Sequence, residues 1–520
     1  MNWKQYKTFF KKNKIQEPHF ILGIDLGNCT SSIAYFDTLN VKPEIMDISG
    51  GYGKAAAPTA LQYVNDTKEW IFGEYAILNV GGENKLLLDL LKNLDSEKYI
   101  ELNQDLDIAE PINKIFSIYI SELILNCKNI NPKAEIVGIV VTTNILNKKS
   151  HQSLLQAFDF SGYGSVLIDF KEHSECVLTY YLHNFHQDKI NENVMLLDFG
   201  DGGLRSTIYN IKYDDIYSAS CLVYITEHSI GTGYLDEAIY KLFADAYCKN
   251  YNLSYNSLDY ATKEQLTAFT YQHKDILFQK KIDIHSQKST RLYFNFSYPP
   301  FYMDVSMQNL EDLLEPFKRK ANLFFEDTLK KAGLNNIDKI ILTGGGFDFL
   351  WAKALVSGFF KNTNIILQKN TKAIPSLGAS LIAAKSLGII NYKDIHISDM
   401  HKIPFDIGIM VQIESKEAFL PIIQKGSFLW QKTKPVYFIL KDDNLDGVID
   451  FFKRDDLGNL SSIFKLNLKN IPNKPSNTLR ICITIVAKSI YEYAISIEDA
   501  GFGEIAPKTS YREEKQLNIK

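Results

Sequence analysis

The chain has 520 residues, 45% hydrophobic and 23% charged, which excludes disordered, collagenous and coiled-coil classes and leaves room for about three or four domains. Lys and Arg number 57 against 61 Asp and Glu, a net charge of −4 that argues against a general nucleic-acid binder. The six cysteines are scattered without a C-x-x-C pair, which points to reduced thiols in a cytoplasmic setting.

The N-terminal MNWKQYKTFFKKNK places Trp3, Tyr6 and Phe10 on one helical face, with the lysines largely elsewhere. That pattern predicts a basic amphipathic arm over residues 1–19, resting on its own domain, on an anionic surface or on a partner. No apolar run approaches the roughly 20 residues of a membrane span, so none is expected. Phe20–Phe36, FILGIDLGNCTSSIAYF, reads as strand, Asp-x-Gly turn and second strand. Val194–Ile211, VMLLDFGDGGLRSTIYNI, repeats that layout, which predicts a duplicated domain with a glycine-tipped hairpin in each half. Between them, AEIVGIVVTTN predicts a buried strand, SHQSLLQAFDFSGY a helix capped by Ser150, and GSVLIDF the next strand. The longest helical pattern runs from Asn309 to Gly333, followed by strand, glycine turn and helix over Ile337–Phe360.

Beyond Gly388 the pattern changes to short alternating segments, Lys402 to Ile497, the signature of a β-sandwich. The resulting division is an arm (1–19), an α/β domain (20–390), a linker (391–402), a β-domain (403–505) and a frayed polar tail (506–520).

A strand that delivers Asp-x-Gly into a tight turn suits phosphate binding, because glycine lets backbone N–H groups approach an anion and the Asp can hold magnesium through its waters. Asp25 with Gly27, and Asp198 with Gly200 and Gly202, fit that role, with Gly344, Gly345 and Gly346 as a third turn. The P-loop and dinucleotide patterns are absent. His183 and His186 lack a further ligand nearby and read as solvated residues.

GIDLGNCTSSIAYF, LLDFGDGG, IGTGYLDEAI, IILTGGGFDF and SLGASLIAA occur in the order of the actin-like ATPase superfamily, and the chain most resembles the seventy-kilodalton heat-shock chaperones. The resemblance covers about Phe20 to Ile497. It implies a two-lobed actin-like (ribonuclease H-like) α/β domain, then a β-sandwich; the helical lid of the family is not expected, because the stretch after Ile497 carries Gly501, Gly503 and Pro507. It also implies ATP or ADP with magnesium between the lobes and a protein or peptide client on the sandwich, with a co-chaperone or exchange factor as a further partner. Asp25 and Asp198 would hold the magnesium hydration shell, and Glu172 would position the attacking water. Gly27, Asn28 and Cys29 of the first hairpin, and Gly200, Asp201, Gly202 and Gly203 of the second, would cradle the phosphates, with Gly231 nearby. Either Lys85 or Lys92 would face the phosphates. Lys281, His285, Gly344–Gly346 and Asp348 would line the ribose and adenine.

This sequence departs from the family pattern at several of these positions. Asn28 and Cys29 stand where the family has hydroxyl residues, Gly203 replaces another, and Asp201 adds a carboxylate beside the phosphates. Ile282 and Asp348 replace two arginines. The expectation is a slow chaperone-type ATPase or one that has lost hydrolysis. The rivals are a non-hydrolysing scaffold and, less favoured, a small-molecule kinase of the same superfamily.

Overall fold

Strand His19–Asp25 is buried along nearly its whole length, as expected of an apolar run flanked by strands on both sides. The computed structural model describes all residues except 13–16, 40, 49–52, 80–83, 95–98, 104–107, 131, 144–147, 185–190, 215, 279–288, 367–369, 391–394, 399–402, 404, 415, 426, 428–431, 441–446, 455–457, 488–491 and 519–520. The fold is mixed α/β with several sheets and, among the described residues, no barrel. By contact the chain divides into Met1–Asn144 with Gln152–Ser398, and Asp399–Lys520 with Ile145–His151.

The first unit contains two six-stranded sheets that match in five strands and differ in the sixth, which is antiparallel on the hairpin in one and parallel at the edge in the other. In one, the order is Leu167–Lys171, Glu135–Thr142, His19–Asp25, Thr30–Asp37 and Lys42–Ile45, with Ala56–Pro58 also on Thr30–Asp37. In the other it is Asn364–Ile366, Lys339–Thr343, Asn191–Gly200, Gly203–Asp214, Ile216–Glu227 and Ile395–Ser398. In both, a glycine-tipped antiparallel hairpin has two parallel strands beyond its first strand. The duplication visible in the sequence is therefore a duplication of strand order and pairing sense.

The arm forms helix Trp3–Lys12 and packs on this unit: Tyr6 is buried, its hydroxyl donates to Glu135, and the Phe10 ring lies 5.3 Å from that of His19. Of the apolar face read from the sequence, Tyr6 is covered, while Trp3 and Phe10 stay partly exposed. Among the described residues, no helix is long and apolar enough to cross a membrane.

Three expectations need correction. The helix expected to be capped by Ser150 begins earlier, at Lys148, so Ser150 lies inside its first turn. The stretch read as linker contains strand Ile395–Ser398, which adds in parallel to Ile216–Glu227, with Tyr217 opposite Ile395. The alternation of Ile395 and Ile397 is enough for a sheet edge to accept it. The polar tail is also ordered, because Arg512–Asn518 pairs along Glu492–Asp499. An edge strand keeps one side in solvent, so its charged residues do not oppose pairing.

The second unit consists of two four-stranded antiparallel sheets. One runs Lys416–Ile423, Asp406–Ile413, Val448–Arg454, Leu460–Asn467; the other runs Val436–Ile439, Arg480–Ala487, Glu492–Asp499, Arg512–Asn518. Alternate residues of both enter one core, among them Ile407, Ile409 and Phe451 from the first and Ile481, Ile483, Ile485 and Ile497 from the second. Burying such aliphatic side chains contributes about 1.5–3 kcal/mol each.

Candidate functional site

Strand His19–Asp25 ends on Asp25, Asn191–Gly200 carries Asp198 beside its glycine tip, and Lys339–Thr343 ends on Thr343, paired with Asp198. His173 opens the helix that follows strand Leu167–Lys171. All four sit at the carboxyl ends of parallel strands, where open α/β sheets place their ligand sites.

His173 joins the two sheets. Its Nε2 contacts Asp25 Oδ1, and its Nδ1 lies 3.5 Å from Asp198 Oδ2, a charge contact rather than a close hydrogen bond. Lys372 Nζ donates to Asp25 Oδ2 at 2.5 Å. On Asp198, a guanidinium nitrogen of Arg205 donates to Oδ2 at 3.2 Å and Thr343 Oγ1 to Oδ1 at 3.4 Å. A tight hairpin explains the arginine: pairing Gly200 with Gly203 puts Arg205 opposite Asp198.

The electrostatics follow from this packing. Burial opposes charge on Asp25, but His173 and Lys372 outweigh it and hold the carboxyl below the usual range. Asp198 is likewise held low, with His173 and Arg205 overcoming its burial. Burial also opposes charge on His173, yet the two aspartates push its pKa up to about 9. With carboxylate oxygens facing both ring nitrogens, the imidazolium is the form that turns no lone pair toward a carboxylate.

Glu172, adjacent in the chain, has its pKa raised by burial despite Arg205 and His173.

The tip of the second hairpin is self-occupied. Asp201 Oδ2 lies 3.1 Å from Lys92 Nζ. Its other oxygen sits so close to Gly233 that a Cβ there would collide with it. The carboxylate thus lies against the start of helix Thr232–Tyr251, where a negative charge is favourable. Gly231 is equally tight against the Asp201 carbonyl. Of the two candidate lysines, Lys92 reaches this hairpin, while Lys85 Nζ sits 5.5 Å from the ring centre of Tyr260. Asn28 faces Gly202 across the two hairpin tips, about 4.0 Å from where a Cβ would stand. The Cys29 thiol is pushed up by burial and by Asp201, which makes it a poor nucleophile. Gly203 adopts φ 140 against Glu227. Gly200 and Gly345 have open space around them.

Gly344 is required by its turn: at φ 87 a side chain would be strained, and its Cβ would meet Asp198 Oδ1 and the Phe199 carbonyl at 2.5 Å. Gly346 packs on the Phe199 ring. Thr371 Oγ1 lies 2.7 Å from the Gly344 carbonyl and 2.8 Å from Asp348 Oδ1, which ties Asp348 to the turn. Lys281, Ile282 and His285 lie outside the described residues.

His173, Lys372, Arg205, Thr343 and Thr371 were not singled out from the sequence. Only Arg205 had a usable signal, the hairpin count from Asp198.

The residues at the centre do not fit a magnesium ion. Magnesium needs near-octahedral oxygen ligands and keeps most of its waters. Both Asp25 oxygens are already engaged by cationic groups, and Asp198 is held by the same His173 and by Arg205. Two unit charges of like sign 4 Å apart repel by about 4 kcal/mol at an effective dielectric of 20, and a divalent ion doubles that for each neighbour. Among the described residues, no group of three or more His, Cys, Asp or Glu is arranged to hold a metal.

Residues 42–255 match the family of unknown function (DUF5716) C-terminal, and residues 402–519 match a domain of unknown function (DUF8552). The first match runs from strand Lys42–Ile45 beyond the second hairpin to helix Thr232–Tyr251 and past it; the second covers nearly all of the two four-stranded sheets.

Proposed function

We propose that this chain is a divergent chaperone-type nucleotide-binding protein, with an actin-like two-lobed domain that takes ATP or ADP and a C-terminal β-sandwich that docks a protein or peptide client. The observation that carries the reading is the convergence of the two Asp-x-Gly hairpins at one point, at the carboxyl ends of two sheets that share the order of five strands. Phosphates are the natural ligand for glycine-tipped turns, where small residues let backbone N–H groups come close to an anion.

Of the two outcomes left by the sequence, the non-hydrolysing scaffold is favoured over the active ATPase. Glu172, the group the resemblance assigns to the attacking water, stands next to His173, and the two aspartates that would hold the magnesium of such a reaction are already engaged by His173, Lys372 and Arg205.

The test is thermal unfolding of the full chain with ATP and with ADP, together with γ-phosphate release. Nucleotide at 100 times Kd should stabilise by about 2.7 kcal/mol. Gly200→Glu, made where the backbone has open space, should leave the unliganded melting point unchanged and remove the shift by adding a carboxylate to the hairpin tip. Phosphate release should not exceed that of Asp198→Ala. Absence of any ligand-dependent shift overturns the nucleotide reading; turnover well above Asp198→Ala restores the ATPase.

A further inference from the structure

Asp25 is fully buried, and each of its oxygens faces a cationic side chain from a different part of the chain: His173 on one side, Lys372 on the other. Lys372 does more than neutralise Asp25. A Cβ on Gly27 would lie 3.0 Å from Lys372 Nζ, so the ammonium sits over the turn of the first hairpin, beside its phosphate-facing backbone. His173 does the equivalent between the hairpins, with one ring nitrogen toward Asp25 and the other toward Asp198. Arg205 adds a third cation on Asp198.

His173, Lys372 and Arg205 face Asp25 and Asp198, and Lys92 faces Asp201 at the second tip, so the carboxylates where the glycine tips converge are each already paired with a protein cation. A phosphate group at the first hairpin meets the Lys372 ammonium, which can spare a donor for a charge-assisted hydrogen bond, while both ring nitrogens of His173 stay on the aspartates and its charge acts through space. The service usually supplied by a divalent ion, neutralising phosphate oxygens between two aspartates, is already supplied by the protein.

We infer that this cleft binds nucleotide phosphates without a divalent metal, with His173 and Lys372 as resident cations in its place. The inference rests on the nucleotide reading above, and it concerns what that site requires rather than whether it binds.

Calorimetric titration of the full chain with ADP and with ATP, in EDTA and in excess magnesium, is the deciding measurement. The dissociation constants in the two buffers should agree within about threefold, a small difference on the scale of binding free energies. A loss of more than about tenfold in EDTA overturns the inference and leaves the nucleotide reading standing. No binding in either buffer overturns both.

A second arm reads metal directly. Manganese, followed by its paramagnetic resonance signal, should not bind wild type at the centre. It should bind His173→Gln, in which two carboxylates lose their shared cation. Because that variant leaves two buried carboxylates facing each other, Lys372→Met, which frees only one oxygen of Asp25, is measured beside it. Manganese binding by wild type, or failure of every folded variant to gain it, overturns the assignment of resident cations.

Discussion

Lys474 Nζ lies 2.6 Å from Asp499 Oδ2, with the lysine side chain 6% exposed and the aspartate fully buried. Asp499 Oδ1 also accepts the Gly501 amide at 2.9 Å, and Oδ2 accepts the Thr509 amide at 2.8 Å; the same ammonium donates to the Pro507 carbonyl at 2.9 Å. This knot holds the 500–511 connection, and so returns the chain to pair as Arg512–Asn518.

Breaking the pair from the lysine side should be costly. Lys474→Met leaves a buried carboxylate without its cation, a change that costs about 3–5 kcal/mol. Urea unfolding followed by a probe in the C-terminal sheets should show that loss, and combining Lys474→Met with Asp499→Asn should recover part of it. Equal stability of Lys474→Met and wild type would mean that the pair is open to water.

Acid should act at the same place. Burial disfavours charge on Asp499, but Lys474 and the amides of Gly501 and Thr509 prevail and hold its pKa at about 2, from an ordinary 3.8. Because the folded value is the lower one, the stabilisation is present above about pH 4 and is lost as pH falls toward 2. The acid limb of the stability curve should flatten in Asp499→Asn. An unchanged limb would place the acid-sensitive group elsewhere.

The alkaline side should report His173. Its folded pKa of about 9 lies above the ordinary 6.5, so its contribution is complete below about pH 6.5 and disappears as pH rises through 9. The full loss is on the order of 3 kcal/mol, from about 1.4 kcal/mol per pKa unit. Melting temperature measured from pH 6 to 10 should fall in wild type and stay flatter in His173→Gln, after allowing for that variant's lower starting point.

Strand Ile395–Ser398 offers a test of the corrected linker. Its amides, and those of Tyr217–Ser220 beside it, should exchange slowly with deuterium. His396→Pro and Ile397→Pro, made separately, remove the two alternate N–H groups of this edge strand, and whichever of them joins the ladder should speed exchange in both segments when lost. Fast exchange of 395–398 in wild type would argue that the strand does not persist in solution.

Much of the α/β unit could be read from local pattern. The hairpins at Asp25 and Asp198 are signalled by apolar runs meeting Asp-x-Gly, and counting across the second tip leads from Asp198 to Arg205. Helix Met307–Ala332 and its stop at Gly333 were equally plain, since a 3.6-residue stripe and a left-handed glycine are both local signals.

The centre of the site was not legible in the same way. His173 stands 148 residues from Asp25, and Lys372 stands 347 away. No spacing rule connects them, because their meeting depends on how two sheets and a later helix pack together. Lys92 was distinguished from Lys85 only by which one reaches Asp201. The strand at Arg512–Asn518 was hidden for a related reason: at a sheet edge, charge on the open face is compatible with pairing, so its composition resembled a tail. The sequence by itself determined the glycine-tipped turns, the buried strands and the alternating β-segments, since each follows from residues close in the chain. Only the tertiary structure decided that the two aspartates face protein cations, because charge pairing in a buried centre depends on distance in space and not on distance along the chain.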